Sequence, residues 1–219
     1  MMKRGIDLLW LTLFAAAMAL TEAAIVIYLR ALYYPENPLA IFPLRLLDEA
    51  HLGLELAREA ATMVMLLAVA WLSQAGFMRR FAAFLVLFGT WDIFYYVWLK
   101  LILGWPVEWL EWDVLFLIPW PWVGPWIAPV AIAVLFAAWG GFALASGRGY
   151  RADLSAAAWF CVGAALALGA FLAPAMPLIP KGAEAFRGWT PEGFPWALYA
   201  GGVLLMGVGL LLALRRPRA

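Results

Sequence analysis

Six stretches of predominantly apolar sequence, each about 20 residues or longer, run through this chain of 219 residues. A helix needs about that length to cross a hydrocarbon core of roughly 30 Å. They fall near residues 6–33, 49–74, 80–103, 126–146, 153–173 and 195–214. The predicted fold is therefore all-α: a polytopic membrane protein of six transmembrane helices, forming a single transmembrane domain over 1–219. Composition agrees, because 67% of the residues are hydrophobic and 13% are charged, against about 45–50% and about 25% in ordinary globular chains. Disorder and collagen-like sequence are excluded on the same ground. Cys161 is the single cysteine, so no disulfide framework exists within the chain. A net charge of +1 provides no field for nucleic acid.

Orientation follows from the basic residues. Lys3, Arg4, Arg79, Arg80, Arg148, Arg151, Arg215, Arg216 and Arg218 fall on one side of the alternating spans, and Arg30, Arg45, Lys100, Lys181 and Arg187 on the other. The positive-inside rule predicts a cell-membrane protein with both termini in the cytoplasm. Lys3 and Arg4 ahead of an apolar run, with Ala17-Met18-Ala19 behind, have the look of a signal peptide. The run continues past Ala19 through Ile25, Val26, Ile27 and Leu29, longer than the about 7–15 residues of a cleaved apolar core, so a retained anchor is expected.

Three divisions differ in chemistry: 1–103, 104–125 and 126–219. The last carries no internal Asp, Glu, Lys or His in its spans but many small residues, including Gly163, Ala167, Gly169, Gly202, Gly207 and Gly209. Small residues let helices approach closely, which predicts packing scaffold and a possible docking face for partner membrane subunits through spans four to six. The middle segment holds Trp105, Trp109, Trp112, Trp120, Trp122 and Trp126 among prolines. Indole prefers the headgroup level and proline stops helices, so the first reading is an interfacial belt on the outer face. The alternative is a re-entrant loop or lid over a substrate path, whose backbone would need protein or water to satisfy it.

The costly residues lie in the first three spans. Glu22, Glu55, Glu59 and Asp92 fall deep, with Arg58 as the one cation among them. From the helical rise of about 1.5 Å per residue, Glu55 lies about 10 Å and Glu59 about 16 Å below the outer end of the second span. Glu22 and Asp92 lie at about 16–17 Å in theirs. A charge at mid-bilayer costs at least about 2.5–3.5 kcal/mol on insertion scales and usually faces the bundle interior. Glu55 and Glu59, at i and i+4, share a helix face that Arg58 flanks and Thr62 continues. An ion pair of Arg58 with Asp92 or Glu22 accounts for one acid. The others are protonated, hydrated, or matched by something outside the sequence. Tyr95 and Tyr96, at i+3 and i+4 from Asp92, place hydroxyls outward of it, and Tyr28 is a further aromatic candidate on the first span. These form either a vestibule suited to a cation or amine, or ordinary aromatic packing. Asp48 is the expected cap of the second span, with Glu49 in its first turn and His51 an interfacial histidine.

The candidate substrate or ion site is thus Glu22, Glu55, Arg58, Glu59, Asp92, Tyr95 and Tyr96. No cofactor is specified. If a metal binds, Glu22, Glu55, Glu59 and Asp92 are its candidate ligands, of the kind that suits hard cations. One histidine, His51, excludes multi-His haem, copper and zinc sites. No catalytic residue is assigned. The function expected is binding or transport of a small cationic or protonatable solute, ion or proton. The alternatives are a membrane-intrinsic enzyme acting on a lipid or quinone, and an accessory subunit of a membrane complex. In size, six spans and the Ala15, Ala19, Ala23 series, the chain resembles in architecture the substrate-capture subunits of energy-coupling-factor vitamin transporters. That resemblance implies an outward site and docking through small residues; no vitamin-specific motif accompanies it.

Overall fold

A computed structural model describes residues 2–148, 150 and 153–215. Arg151, Arg216 and Arg218 of the basic inventory lie outside the described residues, as do the side chains of Lys3 and Arg4. The chain is mostly helical: α1 (Met2–Tyr33), α2 (Glu49–Ser73), α3 (Phe77–Leu103), α4 (Ile127–Ser146), α5 (Leu154–Leu172) and α6 (Trp196–Leu214). These are six helices long and apolar enough to cross a membrane, close to the expected bounds. Each end has a local cause. Pro35 follows α1 within two residues, where its ring and missing N–H end the helix. Asp48 caps α2 by accepting from the His51 backbone N–H at 2.8 Å. Gly104 closes α3 in the left-handed region, φ 81°, with its N–H bonded to the Lys100 carbonyl. Asp153 caps α5 through Ser155 N–H.

α3 is the hub, packed against α1, α2 and α4, while α5 and α6 form the other close pair. The closest approaches run through glycine. A methyl at Gly140 would sit 2.5 Å from the Ala82 carbonyl oxygen, and one at Gly209 2.6 Å from both Ala156 O and Phe160 N. Gly163 and Gly202 face each other across α5 and α6 in the same way. Gly169 and Gly207 have open space or only loose contact instead. Ala15, Ala19 and Ala23 are fully buried within the chain, so the docking use implied by the architectural resemblance is not available to them.

α2 is turned the other way. Its buried residues are Glu55, Glu59, Thr62, Leu66 and Ala70, one stripe of polar then apolar side chains. Leu54, Val64, Leu67 and Leu72 point outward. A helix with its carboxylates inside and its leucines outside is built for hydrocarbon surroundings.

The departure from an all-helical reading lies in the Trp/Pro segment. β1 (Trp112–Phe116) and β2 (Trp122–Pro125) form an antiparallel hairpin, pairing Asp113 with Gly124 and Val114 with Val123. The interfacial belt describes little of it. Trp105, Val123 and Asp113 are buried, and only Trp109 and Trp120 among the segment's indoles are exposed. The hairpin shares a layer with the other two long connections. Leu44 N–H donates to Trp189 O at 2.8 Å and Gly188 N–H to Leu44 O at 2.9 Å. Val123, Ala175 and Phe186 form that layer's apolar centre.

Candidate functional site

All seven candidate residues line one cavity of about 960 Å³, enclosed by α1, α2, α3, the hairpin and the connecting layer. The volume lies near the upper end of ordinary small-molecule sites, about 300–1,000 Å³. Four of the seven side chains fall into two networks, Tyr95 lies between them, and Glu59 and Asp92 stand outside both.

The first network joins α1 and α2, whose backbones scarcely approach each other. Arg58 bridges Glu22 of α1 and Glu55 of α2. Its Nη2 and Nε reach the same Glu55 oxygen at 2.6 and 2.9 Å. The Thr62 hydroxyl donates to Glu22 at 3.2 Å. The pairing expected with Glu22 is present; Asp92 is not among Arg58's partners. A single guanidinium therefore holds two carboxylates, which a planar fork of five N–H donors permits.

The second network joins α1, α3 and β1, and sequence reasoning missed it. Arg30 and Asp113 are 3% and 2% exposed and lie 3.3 Å apart. Tyr96 hydroxyl donates to the other Asp113 oxygen at 3.1 Å, Val114 N–H donates at 3.0 Å, and the Arg30 guanidinium lies over the Trp105 ring at 4.0 Å. Burial pushes the Asp113 carboxyl above its ordinary range, against the pull of Arg30 and the Tyr96 hydroxyl. Tyr96 thus serves Asp113 in place of the Asp92 route. Counting basic residues by alternate loops places Arg30 among the loop cations, because it sits in the last turn of its helix. The available signal was strand alternation: Asp113 lies between Trp112 and Val114, opposite Gly124, where the pleat turns it inward.

Glu59 belongs to neither network. The Leu117 N–H, in the turn of the hairpin, donates to both its oxygens at 2.9 Å. Glu59 is ten residues into α2, about 15 Å along it, so the hairpin tip reaches well down into the bundle. The Leu117 N–H is satisfied there by protein, as irregular chain inside a bundle requires. The hairpin lines the cavity, and Glu59 holds its turn through Leu117.

Asp92 also lines the cavity, and its Oδ2 is buried with no hydrogen-bond partner. Tyr95 lies within electrostatic reach of Arg30, Arg58, Asp92 and Asp113, between the networks. Tyr28 is 73% exposed and takes no part. Near the mouth, Tyr33, His51 and Asp48 form a triangle of contacts at 2.7–3.1 Å, and the His51 backbone N–H holds the Asp48 carboxyl below its usual value.

The four acids offered as metal ligands are not gathered into a metal site: among the described residues, no group of three or more His, Cys, Asp or Glu is arranged to hold an ion. Glu22 and Glu55 are occupied by Arg58 and Glu59 by Leu117. What remains is an acidic cavity. Five deep carboxylates, those of Glu22, Glu55, Glu59, Asp92 and Asp113, face two guanidinium groups, Arg30 and Arg58.

Six helices long and apolar enough to cross a membrane fit a multi-pass membrane protein. No protein family, curated protein or solved structure matches the chain.

Proposed function

We propose that this multi-pass membrane protein binds a small cationic or protonatable solute in the cavity between α1, α2, α3 and the hairpin, in the course of its uptake, export or sensing. The reading rests on one observation above the rest: Asp92 lines a cavity rich in acids, and no hydrogen bond or ion pair engages its carboxylate. A buried acceptor left unmade costs about 1–3 kcal/mol, and more when charged, which a donor brought by a ligand recovers. Glu22, Glu55, Arg58 and Glu59 line the cavity from α1 and α2, Tyr95 and Tyr96 from α3, and Glu59 holds the hairpin through Leu117. The positive-inside count supports cytoplasmic termini and a cavity mouth on the outer face.

The test is thermal unfolding of protein in lipid nanodiscs with methylammonium, hexylamine, Na⁺ and Mg²⁺ as probes. One or more amines raise the midpoint saturably in wild type and fail to do so in Asp92→Asn. If no cation shifts the midpoint, and native mass spectrometry finds nothing bound to gently purified protein, the reading is wrong and the acids are a closed structural network.

A further inference from the structure

At the end of the bundle away from the cavity mouth, α2 and α3 are joined by the three residues Gln74, Ala75 and Gly76. Arg79 and Arg80 stand in the first turn of α3, within about 5 Å of its start by the helical rise. In a helix that crosses a bilayer this is headgroup level. Both arginines are held in place, and neither is held by an acid. Gln74, only 8% exposed, accepts from Arg79 Nε and Nη2 at 3.0 and 2.7 Å through its side-chain oxygen, and from Arg80 Nε at 3.0 Å through its backbone carbonyl. The Arg80 guanidinium also lies over the Trp71 ring at 3.7 Å. Among the described residues, Arg30, Arg45, Arg58 and Arg187 each pair with a carboxylate, whereas Arg79 and Arg80 form no ion pair.

A neutral amide and an indole face fix the two side chains without cancelling their charge. Three of the ten N–H donors that two guanidinium groups carry are used in doing so. Stacking covers the face of a guanidinium and leaves its edge free, and that edge matches the oxygens of a phosphate. Because the side chains are already fixed, little rotamer freedom remains to be lost on binding. No carboxylate touches either guanidinium to receive an ammonium, so a headgroup of net negative charge fits better than a zwitterionic one. The flanks choose the source of the phosphate. Leu72 and Phe77 are 85% and 68% exposed on either side of the connection, and Trp71 is half-exposed beside them. Acyl chains gain from covering such side chains, and a free anion does not.

We infer that Trp71, Gln74, Arg79 and Arg80 form a binding site for an anionic glycerophospholipid. The two guanidinium groups hold its phosphate, Gln74 and Trp71 position them, and the acyl chains lie along Leu72 and Phe77. None of these residues lines the cavity, and the inference does not depend on the cation-binding reading.

The test is native mass spectrometry of the full chain, delipidated in detergent and titrated with dioleoylphosphatidylglycerol or dioleoylphosphatidylcholine. The first should bind about tenfold or more tighter than the second. Arg79→Ala combined with Arg80→Ala should erase that preference. Gln74→Leu, which leaves both charges in place, should reduce it by about threefold or more. Arg148→Ala, which removes an exposed arginine at the same end of the bundle, should leave it unchanged. Equal binding of the two lipids, an unchanged preference in Gln74→Leu, or a loss in Arg148→Ala as large as in the double variant overturns the inference. Full displacement of phosphatidylglycerol by an equal concentration of glycerol phosphate also overturns it, since the site would then take a soluble anion. If a variant does not fold, wild type decides: phosphatidylglycerol with a photoactivatable acyl chain should label Leu72 or Phe77, and labelling confined to other parts of the chain overturns the assignment.

Discussion

Between α5 and α6 the backbones touch, and between α1 and α2 they hardly meet. Gly163, Gly202 and Gly209 bring the first pair together so closely that a single added methyl would collide with backbone. Across the second pair, Arg58 with Glu22 and Thr62 with Glu22 span the gap by side chain alone. Lipid tails are as apolar as leucine, so association in a bilayer has to come from close packing or from polar contacts. Each of these two pairs uses one of the two. Close packing leaves no space, and polar bridging leaves a cavity already lined with the groups a ligand needs.

The largest effect should come from breaking the driest polar contact. Arg30→Ala strands Asp113 as a buried uncompensated acid and should cost about 3–5 kcal/mol, read as a lowered unfolding midpoint in detergent. Arg58→Ala should cost less, since its side chain keeps 15% of its exposure and its acids face the cavity. Equal losses would mean that the cavity side is as dry as the hairpin side, and the contrast between the two networks would fail.

Next in size is Gly209→Val. The atoms it meets are backbone of α5, Ala156 O and Phe160 N at 2.6 Å from the first added carbon, so a helix has to move, at about 3 kcal/mol. Gly207→Ala, with nothing within 4 Å, should stay within about 0.5 kcal/mol. If the two behave alike, close packing is not what holds this half together.

The helices were legible because length and apolarity set them and proline, glycine and Asp48 end them; α2 begins at the expected Glu49. The candidate acids were legible because charge in a span is expensive, and all of them line one cavity. What depth matching did not convey was partnership. Glu59 and Glu22 lie at similar depths, yet one meets Arg58 and the other a backbone N–H from residue 117, 58 positions away. Arg30 and Asp113, separated by 83 positions, were hidden for the same reason: a residue at a helix end or in a turn-rich segment looks solvated until the hairpin is placed. The Trp/Pro composition reports only that helix stops there; the pairing of Trp112–Phe116 with Trp122–Pro125 depends on tertiary packing.

Glu59 tests whether the hairpin is held by a charge or by an acceptor. Glu59→Gln keeps an oxygen for the Leu117 N–H and should change stability by no more than about 1 kcal/mol, while Glu59→Ala leaves that N–H unmade and should cost about 1.5–3 kcal/mol. Hydrogen exchange at Leu117 and Ile118 should rise in the alanine variant only. Equal acceleration in both would show that the negative charge itself fastens the hairpin.

The smallest effect on stability is expected at Asp92, where it carries the most meaning. No hydrogen bond is lost from its Oδ2 on substitution, because none is made. Replacing a buried, unpartnered carboxylate by an amide removes a desolvation cost, so Asp92→Asn should leave the protein unchanged or raise its unfolding midpoint, by up to about 1 kcal/mol. A residue retained at a cost to the fold is one whose gain lies outside it, as at sites where stability is exchanged for function. If Asp92→Asn instead destabilises as much as Arg58→Ala, Asp92 is part of the structural network and the proposed binding acid is lost.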